Sequence, residues 1–540
     1  MSSRSTRSAL YPLGLSLALI AGLFIGRDMG GGGAARPVFM LREPSAATKI
    51  GEVLELIDRQ YVDSVEKQAL VDEVLQDLLQ RLDPHSYYIT AEELRATQEP
   101  LEGSFDGIGV EFAIQRDTVV VITPVEGGPS EALGIRAGDR ILKADSLALT
   151  GPQISNEDVM NSLRGPRGSS VEVTLLRKGR STPFQVAITR GKVPINSVAT
   201  ALLEADGVGY IKLIRFAKNT HAEFLDAARK LREQGMTTLV LDLRGNGGGY
   251  LTSAIELADE FLPRGRTIVY TQGRNSPRQD ITATAAGEFE EMPLAVLIDE
   301  GSASASEIIA GAMQDNDRGI LVGRRTFGKG LVQEHVDLPD ASAIRLTTAR
   351  YYTPSGRSIQ RPYGEGIDYA EDLEERMVHG EFLSQDSVRV DSSQVYTTLK
   401  GRTVYGGGGV MPDIFVPTDT AEGSNYLTEL FFSGALNDFA FEVADKERER
   451  LQAMGSAEAF AERYQVGRTL LNALEQHAKA DGITVDPRDA QRSERQIGLR
   501  LKAGIARNVW GNSGFYRIML ETDNIYQRAV QELDQQQAAR

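Results

Sequence analysis

The rhythm of apolar positions changes repeatedly along this chain, and each change marks a candidate boundary. Leu10 to Ile25 carries no charge, is led by Arg4 and Arg7, and is closed by Arg27 and Asp28. At 1.5 Å per residue it spans about 24 Å, short of the ~30 Å hydrocarbon core but workable with local thinning and flanking arginines. It lacks the polar face of a buried core helix. No clean Ala-x-Ala site follows it, which favours an uncleaved anchor over a removed signal peptide. Residues 1–27 are therefore expected to tether the chain to a membrane, basic end in the cytoplasm, with the rest exported. Residues 28–45, glycine-rich and then Ala-Ala-Arg-Pro, read as a linker.

From Ala46 the period becomes helical. Ile50, Val53, Leu54, Leu56 and Ile57 form one apolar face, and Leu70, Val71, Val74, Leu75, Leu78 and Leu79 another. Leu82-Asp83-Pro84-His85-Ser86-Tyr87 breaks this helical region, 46–103, at its proline. Residues 104–191 switch to short β-type runs: Val119 and Val121, Ile141, then Val171, Val173 and Leu175. One helix, Asn156 to Leu163, is expected among them. From Gly207 strands and helices alternate: strand Val208–Leu213, helix His221–Gln234, strand Thr237–Leu243, helix Leu251–Leu262, strand Leu294–Ile298, helix Ser306–Gln314. That order predicts an α/β core over 192–420. A charged, irregular insertion interrupts it at 365–404, and a helical, glutamine-rich extension follows over 421–540.

Composition narrows the function classes. At 540 residues, several domains are expected. The formal net charge of −16 argues against a nucleic-acid partner. The absence of cysteine removes disulfides, thiolate metal sites and cysteine nucleophiles. The histidines are His85, His221, His335, His379 and His477, and no His-Glu-x-x-His pattern is present, so a zinc hydrolase is disfavoured. We expect no metal and no cofactor.

Three segments carry candidate chemistry. The strand ending at Asp299-Glu300 runs into Gly301-Ser302-Ala303-Ser304-Ala305-Ser306, then a helix opened by Glu307. A serine at such a turn can cap the helix, the commoner role, or present a nucleophile beside free helix-start N–H groups. Asp242-Leu243-Arg244-Gly245-Asn246-Gly247-Gly248-Gly249 exposes backbone donors after another strand, without the Gly-Lys-Ser/Thr ending of a nucleotide loop. Gly323-Arg324-Arg325-Thr326-Phe327-Gly328-Lys329-Gly330 frames a lysine that can act as a base only if burial lowers its pKa.

Taken together, these runs resemble the carboxyl-terminal processing peptidases, the tail-specific serine proteases of the S41 class. The resemblance implies a mixed α/β fold with a ClpP/crotonase-like protease core and an upstream PDZ domain. It assigns Ser304 as nucleophile, Lys329 as base and Gln333, one helical turn beyond, as the residue that orients the lysine. Ala305 and Gly248 match the oxyanion-hole donors. The choice of Ser304 over Ser302 or Ser306 rests on the resemblance alone. Pro129 to Asp139 is similar to a PDZ turn and helix, and Gly107, Ile108, Gly109 and Val110 match its carboxylate-binding loop. Arg164 matches an arginine that couples PDZ and protease in some members. Arg350 to Arg357 and Gly409 to Ile414 resemble segments closing the core sheet.

The implied activity is a serine endopeptidase that takes protein or peptide substrates by their free C-termini. It would act from a bacterial inner membrane as a single-pass protein, with its catalytic part in the periplasm. A homo-oligomer through the helices at 46–80 is implied too. A non-catalytic PDZ adaptor on a decayed hydrolase fold is the alternative, and the three candidate side chains weigh against it.

Overall fold

The computed structural model describes residues 46–364 and 366–538. The expected anchor over 1–27 and the linker over 28–45 lie outside them. Among the described residues no helix is long and apolar enough to cross a membrane. The expectation of a single-pass inner-membrane protein with a periplasmic catalytic part is corrected accordingly. A span needs about 20 consecutive apolar residues, and every described helix carries charges among its apolar positions.

The chain divides into two compact units, Met1–Leu75 and Gln76–Arg540. In the first, the helix Ala46–Gln60 leaves Ile50, Val53 and Leu56 exposed.

In the second unit the change of period at residue 104 marks a real change of architecture. Five antiparallel strands run in the order Val110–Gln115, Thr118–Pro124, Arg140–Ala144, Ser170–Leu176 and Phe184–Thr189. The alternating Val119, Val121, Val171, Val173 and Leu175 face a core shared with Val159 of the helix Asn156–Leu163. Ser155 caps that helix, its hydroxyl accepting the Asp158 N–H at 3.1 Å. Strand Ser104–Gly107 pairs with Gly191–Pro194, so the chain enters and leaves this module side by side.

The central sheet has six strands in the order Val198–Leu203, Val208–Leu213, Thr238–Asp242, Leu294–Ile298, Ile320–Gly323 and Ile414–Phe415. All pairs are parallel except the first. A parallel sheet is covered on both faces, which accounts for strands apolar at every position. Leu239, Leu241, Val296 and Ile298 face the helices Thr220–Glu233, Leu251–Asp259 and Ala305–Asp315. Val240, Ala295 and Leu297 face Ile525, Tyr526, Ala529 and Leu533 of the last helix, Asn524–Ala538. Each large side chain buried there contributes about 1.5–3 kcal/mol. The end of the C-terminal extension is thus part of the central α/β core.

The rest of the extension has its own core, with Phe439, Val443, Phe460, Leu474, Leu501 and Ile505 in it. It also reaches the β-rich module, where Arg116 bonds Glu442 and Lys178 Nζ donates to the Asp445 carbonyl at 2.7 Å. A second antiparallel sheet pairs Leu331–Asp337 and Tyr87–Ile89 with Ala343–Tyr352. The insertion folds into a helix, Asp372–Val378, and a small hairpin, Val395–Thr397 with Thr403–Tyr405.

Candidate active site

Parallel strands end on one edge of the sheet, where backbone groups leave the ladder and loops collect. Strand Thr238–Asp242 delivers the glycine loop, strand Leu294–Ile298 the serine turn, and strand Ile320–Gly323 the lysine loop. Ser304, Ala305, Gly248, Lys329 and Gln333 line one cavity of about 490 Å³, along with Tyr250, Arg345 and Tyr351.

The serine turn separates three hydroxyls that look alike in sequence. Ser302 is fully buried and donates to the Leu243 carbonyl at 2.8 Å. Ser306 is fully buried and donates to the Asn246 carbonyl at 2.8 Å. Both hydroxyls bind the serine turn to the glycine loop. Ser304 is the one that reaches the cavity. Its backbone sits at φ 56°, ψ −111°, a conformation a non-glycine residue rarely adopts. The turn thereby lifts the serine to the cavity as the helix begins.

Two residues hold the serine and lysine loops together. Glu307, fully buried, accepts four hydrogen bonds: Oε2 from the N–H groups of Ser304 (2.9 Å) and Lys329 (2.8 Å), Oε1 from the Gly328 N–H (2.7 Å) and the Thr326 hydroxyl (2.6 Å). Burial pushes its carboxyl up, and these donors oppose the shift. Tyr351 works on the opposite polarity, its hydroxyl donating to the carbonyls of Ser304 (3.1 Å) and Lys329. Sequence reasoning gave neither residue this role. The signal for Glu307 was its place three residues after Ser304, the capping-box spacing. Tyr351 left no local signal.

Lys329 is half-buried. Desolvation first, and the Arg345 charge second, hold its amine below the ordinary lysine value, while Glu307 and Asp83 oppose them. Gln333 stands on strand Leu331–Asp337 and not a helical turn beyond the lysine, immediately after a register shift between Val332 and Gln333. A bulge re-aims side chains, and the Gln333 amide donates to the His85 carbonyl. The Leu82–Ser86 motif is therefore tied to a residue that lines the site instead of simply leading to the β-rich module. Asp83 takes the Ser86 hydroxyl at 2.7 Å and the Thr347 hydroxyl at 3.1 Å. His85 pairs with the Tyr369 hydroxyl at 2.8 Å, and burial with the neighbouring Lys329 charge brings it down to about 4. His335 lines the cavity too, but its Nε2 is engaged by Gln98 (3.2 Å) and Asp337 (3.0 Å).

The glycine loop closes the other side. Gly248 sits at φ +100°, and a Cβ there would lie 2.8 Å from the Ala303 carbonyl oxygen, 2.8 Å from Ser304 Cβ and 2.9 Å from Ala305 N. Its N–H donates to Asn246 Oδ1 at 2.9 Å. Gly248→Ala is expected to destabilise the fold by about 1–3 kcal/mol from its backbone conformation alone. The check is urea unfolding, and an unchanged midpoint would contradict that strained backbone conformation.

In the β-rich module, the Ile108 carbonyl accepts the Ser130 N–H at 2.9 Å and the Gly109 carbonyl the Val125 N–H at 3.0 Å. Those bonds shape the Gly107–Val110 loop. Arg164 stacks 4.6 Å from the Phe105 ring centre and bonds Glu99 at 2.8 Å. Glu99 lies on the helix Ala91–Glu102, where Leu101 lines the cavity and Glu102 accepts the Tyr250 hydroxyl at 3.1 Å. One helix thus touches both the β-rich module and the cavity.

Comparison with known proteins adds independent findings. Residues 207–370 match Peptidase family S41, 107–188 match the PDZ domain family, and 426–511 match a family of unknown function, DUF8443. A carboxy-terminal-processing protease of Bartonella bacilliformis is 36% identical over 380 residues, covering 69% of this chain and 84% of that protein. A carboxyl-terminal-processing protease of Picosynechococcus is 38% identical, covering 52% of this chain and 67% of that one. Among solved structures, the photosystem II D1 C-terminal processing protease is 30% identical, covers 68% of this chain and 92% of its own, and superposes with a TM-score of 0.35.

Proposed function

Because the chain belongs to the carboxy-terminal-processing proteases of peptidase family S41 and carries their PDZ domain, we propose that it cleaves proteins recruited by their C-terminal tails, with Ser304 as nucleophile and Lys329 as general base. The observation that carries this reading is the convergence of Ser304 and a desolvated Lys329 on one cavity, with the Gly248 loop packed against Ala305.

Neutral Lys329 Nζ takes the Ser304 proton as Oγ attacks the peptide carbonyl carbon. The carbonyl oxygen becomes an oxyanion. Ala305 N–H, the first of its helix and without a preceding turn to accept it, is one donor for that charge. Gly248 N–H is the other, and the turn at Asn246 must release it. The C–N bond then breaks, and Lys329 returns its proton to the leaving amine. Water resolves the acyl-enzyme by the same route. Gln333 would orient the lysine, its own amide held by the His85 carbonyl.

The Gly107–Val110 loop would take the substrate's terminal carboxylate on backbone donors while the tail adds a strand beside Val110–Gln115. Arg164, through Glu99 and the helix behind it, would report that occupancy to the cavity. Mass mapping of products from an unfolded protein with an apolar tail tests this. Cleavage is expected to slow about tenfold or more when the last residues are removed. Equal rates with and without the tail would sink tail recognition.

A further inference from the structure

The last helix does more than cover the central sheet. Asp523 stands at its start, where Oδ1 accepts the N–H groups of Ile525 (3.1 Å) and Tyr526 (3.0 Å). That fixes the carboxylate as a helix cap. The same carboxylate takes both ends of the Arg244 guanidinium, Nη1 to Oδ1 at 3.0 Å and Nη2 to Oδ2 at 2.7 Å. Arg244 in turn places Nε and Nη2 on Asp242, the latter at 2.6 Å. Asp242 also accepts Lys212 Nζ (3.1 Å) and the Tyr210 hydroxyl (2.7 Å), and the Arg244 carbonyl accepts Lys212 Nζ as well. Asp242 and Asp523 therefore flank Arg244, with Lys212 on Asp242, almost out of water.

The residues that follow are the glycine loop. Gly245 N–H bonds Asp299 at 2.8 Å, Asn246 holds the serine turn by its carbonyl, and Gly248 lies against Ala305. Without Asp523 the Arg244 guanidinium, mostly withdrawn from water, would lose its second carboxylate partner. A buried charge left unbalanced is costly and is relieved by movement towards water. The Arg244 guanidinium would then rest on Asp242 alone, directly before Gly245.

We propose that Asp523, supplied by the C-terminal helical extension, is a positioning residue for the reaction: by gripping Arg244 it sets the Gly245–Gly249 loop that faces the nucleophile. The inference rests on the reading of Gly248 and Ser304 given above. The protease core would then be incomplete without the end of the extension, for a chemical reason as well as a packing one.

The full chain carrying Asp523→Asn, Asp523→Glu or Leu533→Ala is assayed on the unfolded protein substrate, alongside Ser304→Ala, with thermal midpoints for all. Asp523→Asn is expected to lower kcat about tenfold or more with KM within about twofold, since the donor loop acts on the transition state. Asp523→Glu, which keeps the charge, recovers most of it. Leu533→Ala loosens the same helix yet keeps wild-type kcat below its melting temperature. Wild-type kcat in Asp523→Asn overturns the proposal, as does a loss that matches Leu533→Ala at equal stability. If Ser304→Ala still cleaves, the catalytic assignment fails first and this inference with it. If only Asp523→Asn is silent, the inference fails alone.

Discussion

Replacing Lys329 with alanine is expected to lower kcat/KM by about 10²–10⁴-fold, the usual worth of a positioned general base, and Ser304→Ala by at least as much, with the double variant little worse than either, since nucleophile and base act as a unit. Wild-type cleavage by either variant would refute the mechanism. The pH profile carries a second test. The amine is the base only when deprotonated, and burial depresses its pKa. Activity should therefore rise with pH through the depressed value, below the ordinary lysine value of about 10.4.

Stability follows the same sign. Between the depressed and ordinary values the unfolded chain binds a proton that the folded chain does not, so Lys329 makes stability rise with pH across that window. Below the depressed value the folded protein bears the full cost of a desolvated cation. Lys329→Met should then abolish cleavage at neutral pH without lowering the thermal midpoint. A clear fall in the midpoint would mean that partners hold the amine in its charged form.

Glu307→Gln should damage both folding and activity, although the change is nearly isosteric. Each carboxylate oxygen of Glu307 faces two donors. An amide keeps one oxygen and turns an NH₂ towards the other pair. Two buried donors then lose their acceptor, at about 1–3 kcal/mol each. Whichever way the amide turns, it abandons one of two pairs: Ser304 and Lys329, or Gly328 and Thr326. Urea unfolding should show the loss, with cleavage reduced at least about tenfold through misplacement of the reacting groups. A variant with wild-type stability and rate would show that the two loops hold together without this carboxylate.

Much of the site was legible because strand and helix periods are local properties. Leu294–Ile298 read as a buried strand from five consecutive apolar residues and is one. The glycine loop and serine turn each follow a predicted strand, whereas the strand Ile320–Gly323 that leads to the lysine loop was not among those the alternation predicted. The helix Asn156–Leu163 was equally plain, with a capping serine before it and Val159 and Leu163 on its buried face.

Other features needed the folded chain. Gln333 follows Lys329 by four residues, a helical spacing that the sequence could not distinguish from a bulged strand. The histidine of Asp83-Pro84-His85 stands beside Lys329 only because strand Tyr87–Ile89 pairs with Ala343–Tyr352, more than 250 residues away. The insertion reads as irregular charge, yet Arg376 donates to the carbonyls of Arg325 and Thr326, bracing the lysine loop.

The sequence by itself determined the order of elements, the three chemical segments and the kinship they imply, because periodicity, turn residues and motifs are written in neighbouring positions. It could not choose among Ser302, Ser304 and Ser306. In the folded chain two of these hydroxyls are buried against the carbonyls of Leu243 and Asn246, and the third faces the cavity. Tertiary structure also decided what Glu307, Tyr351 and Asp523 do. Their partners lie on other loops, and only packing brings a donor and an acceptor that far apart in sequence within 3 Å.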